Sequence, residues 1–515
     1  NVLDFDNNPL VRNDESIAKA ILEGYLIYIK DYIGHNDDEV IMFTQQEVGG
    51  FLLADKIVSD FPLTQDLIDS DLFKEKLIGN DEDKIHQLRY DILKFLVALK
   101  PDLILKHTSS YIQSLTWWYL YNSDYNLIDG YIVEHISNSF KKNFTVSEAV
   151  RESNSFWFVP EHPFNFSFFY KNLKKLSQWE YDLSWSSFIY AHASEIKDII
   201  NDYLEELKGD NDLNIKEIKT KFIITILSTN IRELRDIATN AILAFGIGNP
   251  LELLNLTVDS KNLNDIYIYE RMVHCCYGVS LNNQNEESFV NDVLPKYSKS
   301  FFKMQFAENT DTSVYNYIVT DSIKHIIDLS ILKGVFELND DDLSRVKNYQ
   351  FVAPYDWIEP TQEEQNVVDA SREMSPPDPL RMDFGIYTIP RLTDREVLHP
   401  KIAIANIWRR IIQLGFELLD LNQGYDEIDK DFHWGHKVYR FKGKVDRLGK
   451  KYCWIAFFDY AGKLLLDEKL NVWYKGDSSY EPHYERLGDV DIDISRPGKD
   501  YIATEQIFFE DLLKE

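Results

Sequence analysis

Residues 231–250 read IRELRDIATNAILAFGIGNP, and this stretch decides the class of fold. Ile231, Leu234, Ala238, Ala241, Ile242 and Phe245 recur at three- and four-residue steps, which puts them on one face of a helix. Gly246-Ile247-Gly248 before Asn249-Pro250 is the grammar of a helix end, not of a phosphate-binding loop. The same spacing appears at Leu88, Ile92, Phe95, Leu96 and Leu99, and again at Ile323, Ile326, Ile327 and Ile331. Breakers separate these runs: Lys100-Pro101, His162-Pro163 and Gly209-Asp210-Asn211-Asp212. From about residue 15 to 345 the pattern predicts helix after helix, with alternation of period two rare and short.

Such a succession of helices exceeds what one compact core usually holds. The expectation is a mainly α protein: a superhelical array of helical repeats (HEAT/TPR-like) with a small C-terminal domain. Two or three separate helical domains are the alternative, since no fixed-period motif is visible. Pro354, Pro360, Pro376, Pro377, Pro379, Pro390 and Pro400 crowd the segment 349–400, which reads as a linker. Ile404, Ile407, Trp408, Ile411 and Leu418 then trace an amphipathic helix, and a second helix is expected from about Lys451 to Leu470. Residues 401–515 are therefore read as the C-terminal domain.

The chain has 515 residues, 44% of them hydrophobic and 14% aromatic, which excludes disorder as its main state. Its formal charge of −30 opposes binding to phosphate backbones by the surface at large. Cys275, Cys276 and Cys453 make no disulfide framework and fit a reducing, cytoplasmic compartment. The sequence has neither an apolar run of membrane-spanning length nor a signal-peptide pattern at its start. It begins at Asn1, which is expected if it is processed or is part of a longer protein.

Motifs of catalysis are scarce. There is no G-x-x-x-x-G-K-[ST] loop, no G-x-S-x-G elbow and no H-E-x-x-H pair. His433 and His436, with Asp429 and Asp431 nearby, have no further ligand at a recognisable spacing and read as surface histidines. His274-Cys275-Cys276 points in different directions on a helix and reads as packed core. The triplets Glu195-Ile196-Lys197, Glu206-Leu207-Lys208 and Glu217-Ile218-Lys219 resemble a nuclease signature only in print, because they fall on helices instead of strands. No metal and no cofactor is expected in this chain, and it is not read as an enzyme.

One segment runs against the overall charge. Lys437, Arg440, Lys442, Lys444, Arg447, Lys450 and Lys451 face a single acid, Asp446, with Tyr439, Phe441 and Tyr452 between them. This composition suits contact with an acidic protein or with nucleic acid; equally, the segment can dock on the acidic helices of its own chain. The seven basic residues are the candidate partner-binding site. Trp117-Trp118-Tyr119 and Phe164, Phe166, Phe168, Phe169 and Tyr170 are more rings than one helix face buries. Most are expected between helices and some on a concave recognition surface.

Several stretches, in order, resemble the region after the nucleotide-binding module in large bacterial STAND (NACHT-like) NTPases of the Avs antiphage type. They are Ile41-Met42-Phe43-Thr44-Gln45-Gln46-Glu47 with Phe51-Leu52-Leu53-Ala54-Asp55, and Arg235-Asp236-Ile237-Ala238-Thr239-Asn240-Ala241-Ile242 through Asn249-Pro250. Asn264-Asp265-Ile266-Tyr267-Ile268-Tyr269-Glu270-Arg271-Met272, continuing to Tyr277-Gly278-Val279, is a third. Arg447-Leu448-Gly449-Lys450-Lys451-Tyr452-Cys453-Trp454-Ile455-Ala456 and Asp489-Val490-Asp491-Ile492-Asp493 complete the set. The chain departs from that pattern at Gln45-Gln46, at Cys453, and at Gly50 and Gly462, which are expected to interrupt helices.

The resemblance implies a helical sensor, at 61–348, preceded at 1–60 by the end of an NTPase-associated helical module. Its ligand would be a phage protein of the terminase or portal class, and binding would license ATP-dependent homo-oligomerisation and an effector carried elsewhere. ATP and magnesium would belong to the NTPase module of the parent protein. The alternatives are a helical scaffold for a host protein and a nuclease-type effector in the C-terminal domain.

Overall fold

A computed structural model describes residues 27–31, 39–43, 45–107 apart from 83, 130–143, 156–370 apart from 210 and 211, 384–392, 399–416 and 448–470, with single positions at 112, 115, 128 and 380. The described chain is mainly helical. It divides into two units, Asn1–Asn165 and Phe166–Glu515, so the division lies within the expected array and not at its predicted ends.

In the first unit the strands β1 (Ile27–Asp31) and β2 (Glu39–Phe43) pair antiparallel, with Ile27 opposite Phe43 and Ile29 opposite Ile41. This hairpin stands where helix was expected. Both segments are rich in β-branched and aromatic residues, and Gly34, Asn36, Asp37 and Asp38 lie between them in sequence. Helix Gln46–Asp60 follows and packs on helix Arg89–Leu99. Gly50 does not interrupt the first of these. A Cβ at Gly50 would lie 2.4 Å from Asp91 Cβ, so glycine is there for close helix approach. Phe51 meets Phe95 edge to face and Lys94 pairs with Glu47 at 2.8 Å.

In the second unit helices pack on one another in series, with shorter helices between some of them in sequence. Leu213–Ile226 lies against Arg232–Gly248, which lies against Ile266–Asn282, which lies against Tyr317–Leu332. All six apolar positions read from 231–245 are completely buried. Pro250 opens the next helix, Pro250–Ser260, at its first turn, where its missing N–H costs nothing. The triplets at 195–197 and 217–219 are helical, while Glu206-Leu207-Lys208 starts at the last residue of helix Ala193–Glu206 and runs into a turn. Their charges tie neighbouring helices together, Lys197 pairing with Glu233 and Lys219 with Glu206.

The region beyond 349 is not a separate body where it is described. Residues 351–357 form a strap held by side chains of the helical region. Tyr315 Oη donates to the Tyr355 carbonyl at 2.7 Å, and Ser313 Oγ donates to the Val352 carbonyl. Trp357 Nε1 donates to Asn406 Oδ1 at 2.9 Å. Helices Pro400–Gln413 and Leu448–Leu466 share one apolar core with Tyr267, Tyr317, Ile318 and Tyr349. The reason is visible in LGKKYCWIAFFDYAGKLLL (448–466), which is apolar on every side. Such a helix needs neighbours all round and cannot form the outside of a small domain. The boundary expected at 400/401 is thereby corrected for the described parts of 401–515.

Among the described residues, no helix is long and apolar enough to cross a membrane.

Candidate functional site

The basic segment turns inward at its end. Lys437, Arg440, Lys442, Lys444 and Arg447 lie outside the described residues, as do His433, His436, Asp429, Asp431, Trp117, Trp118, Tyr119 and the 489–493 stretch. Lys450 is half-buried, whereas Lys451 is completely buried. Lys451 is thus corrected from a surface contact to a core residue. It sits three residues into helix Leu448–Leu466, on a face packed against other parts of the same chain.

Lys451 Nζ donates to Asp182 Oδ1 at 2.7 Å and to Asp265 Oδ2 at 2.6 Å. All three side chains have no exposure to solvent. Each carboxylate is prepared by its local backbone. Ser177 and Glu180 close a capping box at the start of helix Gln178–Tyr181. The chain then widens into the π-helical turn Asp182–Ser186. Asp182 accepts from Ser186 Oγ at 2.7 Å, Gln178 Nε2 at 3.2 Å and Tyr452 Oη at 2.9 Å. Asp265 caps helix Ile266–Asn282, accepting from the Tyr267 backbone N–H at 3.0 Å. One ammonium therefore joins the start of one helix to a widened turn of another, with four donors on the Asp182 carboxylate and two on that of Asp265.

Electrostatics explain why the donors are needed. Burial pushes the Asp265 carboxyl up; Lys451 pulls it back, and the charge of Asp182 adds to the rise. For Lys451 burial pulls the ammonium down, but Asp182 and Asp265 together outweigh it and hold the pKa above the ordinary lysine value. Tyr181, beside both carboxylates and buried, is held far up as a neutral phenol, chiefly by burial. Its Oη donates to the Thr225 carbonyl at 3.2 Å.

A second cation borders this node. Arg235, with no exposed surface, stacks its guanidinium 4.8 Å from the Tyr267 ring centre, and Lys451 Nζ lies 5.8 Å from the same centre. Three of the stretches quoted for their resemblance, at 235, 265–267 and 451–452, thus converge on one buried cluster.

The remaining candidates are structural. Cys275 and Cys276 are buried, and burial pushes both thiols up, Cys276 to about 12, so neither is a nucleophile at neutral pH. His274 shares a hydrogen bond with Ser322 Oγ at 3.0 Å. Phe164, Phe166, Phe168, Phe169 and Tyr170 are all buried, which removes them from any recognition surface. Among the described residues, no group of three or more His, Cys, Asp or Glu side chains is placed to hold a metal ion.

Asp182 was not among the residues singled out from the sequence, and Asp265 stood there only inside a stretch quoted for its resemblance. Asp265 carries a readable signal, an Asn-Asp pair just before an apolar run. Asp182 carries a weaker one, an acid inside the aromatic stretch WEYDLSWSSF (179–188), where a charge must find a partner. No protein-family model, no curated protein and no solved structure matches this chain.

Proposed function

We propose that this chain is the helical sensor portion of a STAND-type antiphage defence NTPase, and that it binds a phage protein of the terminase or portal class. One observation carries the reading: Arg235–Ile242, Asn264–Met272 and Arg447–Ala456 meet at the buried cluster of Arg235, Tyr267, Asp265 and Lys451. Two of these stretches are bonded directly, Lys451 to Asp265, across 186 residues of sequence. The helix-on-helix packing of 213–332 supplies the broad surfaces with which such arrays hold folded partners. Binding must favour the active state of the parent protein over its resting state, since equal affinity for both switches nothing. ATP and magnesium act in the parent's NTPase module, the effector is a separate domain, and the assembly is a cytoplasmic homo-oligomer in bacteria.

The test is affinity purification of the full-length parent from phage-infected cells, followed by binding of the purified phage protein that co-elutes. The expected result is one phage structural or packaging protein in stoichiometric amount, which re-forms the complex when mixed pure. Host proteins recovered equally with and without infection would replace the sensor by a scaffold. Metal-dependent DNA cleavage by the isolated chain would replace it by a nuclease.

A further inference from the structure

Arg235 is a buried charge with no acid of its own. Its Nη1 donates to the Thr229 carbonyl at 3.0 Å, while Nε and Nη2 have no hydrogen-bond partner among the described residues. Those two N–H groups form the planar fork that binds a carboxylate through two parallel hydrogen bonds. A bare guanidinium in a dry core is costly, and stacking on Tyr267 offsets only part of that cost. Compensation has to come from charge close by. Lys451, Asp182 and Asp265 together carry one negative charge in excess, and Arg235 lies against the ring of Tyr267, whose backbone N–H is hydrogen-bonded to Asp265. The four groups balance: two cations and two anions, with the anions directly bonded to only one of the cations.

We propose that Arg235 is a standby counter-ion, so that the first turns of helix Leu448–Leu466 can open without stranding two bare carboxylates. With Lys451 in place the fork is idle. When those turns open, carrying Lys451 and Tyr452 away, the guanidinium turns from the Tyr267 ring and takes the carboxylate of Asp265 or Asp182 in a two-bonded pair. Breaking a buried pair is ordinarily prohibitive because one charge remains uncompensated; here the second cation is already inside. The device makes the start of Leu448–Leu466, not the buried body of the helix, the part that can open, whatever the chain binds.

The test is a double-mutant cycle on the full chain with Lys451→Met and Arg235→Met, read by helical circular dichroism, urea midpoint and hydrogen exchange. Lys451→Met is expected to stay folded, with Ile266–Asn282 protected and the amides at the start of Leu448–Leu466 exchanging about tenfold faster or more. Lys451→Met with Arg235→Met is expected to lose cooperative folding, by more than the two separate losses combined. Unfolding of Lys451→Met while Arg235 is present would overturn the proposal, and so would additive losses. If Arg235→Met alone does not fold, Arg235→Lys takes its place: it keeps the charge and removes the fork. The expected result is then a near-parental single variant and a coupled loss in the Lys451→Met background, and independence of the two changes overturns the proposal.

Discussion

Lys451→Glu is expected to unfold the Phe166–Glu515 unit under conditions in which the parent is fully native. The substitution removes the ammonium that lies 2.7 Å from Asp182 and 2.6 Å from Asp265 and sets a third carboxylate between them. Losing one partner of a buried pair costs about 3–5 kcal/mol, and the one cation left, Arg235, cannot answer three carboxylates. Repulsion between like charges about 4 Å apart adds on the order of 4 kcal/mol at an effective dielectric constant near 20. Even with relaxation, the sum is comparable with the total stability of a domain, roughly 5–15 kcal/mol. The control is one residue away. Lys450→Glu changes the same charge at a half-exposed position, where the effect is expected to be about 1 kcal/mol or less. Urea titrations followed by helical circular dichroism separate the two, and equal losses would mean that Lys451 is not in the core.

Gly462→Ala should be the second most damaging change, although alanine normally favours a helix over glycine by about 1 kcal/mol. A Cβ on Gly462 would stand 1.3 Å from the carbonyl oxygen of Tyr315, far inside contact distance. Relief requires helix Leu448–Leu466 to move away from the 313–316 segment. That segment carries Tyr315, whose ring packs on Phe351, Tyr355 and Trp357 and whose Oη holds the strap. Overpacking a core costs about 1–3 kcal/mol when side chains can yield, and a backbone carbonyl yields less, so the expected loss is above about 3 kcal/mol. Gly248→Ala, at a position where a Cβ meets nothing within 4 Å, is the matched control and should leave the thermal midpoint unchanged or raise it. A stable Gly462→Ala protein would contradict the packing of this helix.

These two positions also show where sequence reading ends. The amphipathic runs at 231–245 and 323–331 were legible because one face of each meets a core and the other does not; in the run at 88–99 Ile92 and Leu96 are buried but Leu99 is exposed, so its face was read only in part. Asn249-Pro250 was legible because caps are local chemistry. Helix Leu448–Leu466 has no such contrast, being buried on all sides, so its period carries no direction. The basic residues before it suggested a surface. Yet the partners of Lys451 lie 269 and 186 residues away, beyond the reach of any local pattern. Gly462, read as an interruption, lies inside a continuous helix, because the constraint on it comes from a backbone carbonyl of another segment. The prolines after 350 suggested a linker for a related reason. Composition does not reveal that Tyr315, Ser313 and Asn406 anchor the strap. The hydrogen-bonding side chains at the node, Gln178, Ser186 and Tyr452, are individually unremarkable in sequence and acquire meaning only when the widened turn at 182–186 brings them to one carboxylate.

Lysine reactivity on the native full chain tests the inward placement of the basic segment most directly. The protein is acylated under native conditions, digested, and each lysine quantified by mass spectrometry, with a sample unfolded in urea as reference. Lys56 and Lys208, whose side chains are 69% and 71% exposed, should react at the rate of the unfolded chain. Lys451 should remain unmodified until the second unit unfolds, then react fully. Modification of Lys451 in step with Lys56 and Lys208, while helical circular dichroism is unchanged, would place it at the surface and dissolve the buried node on which the functional proposal rests.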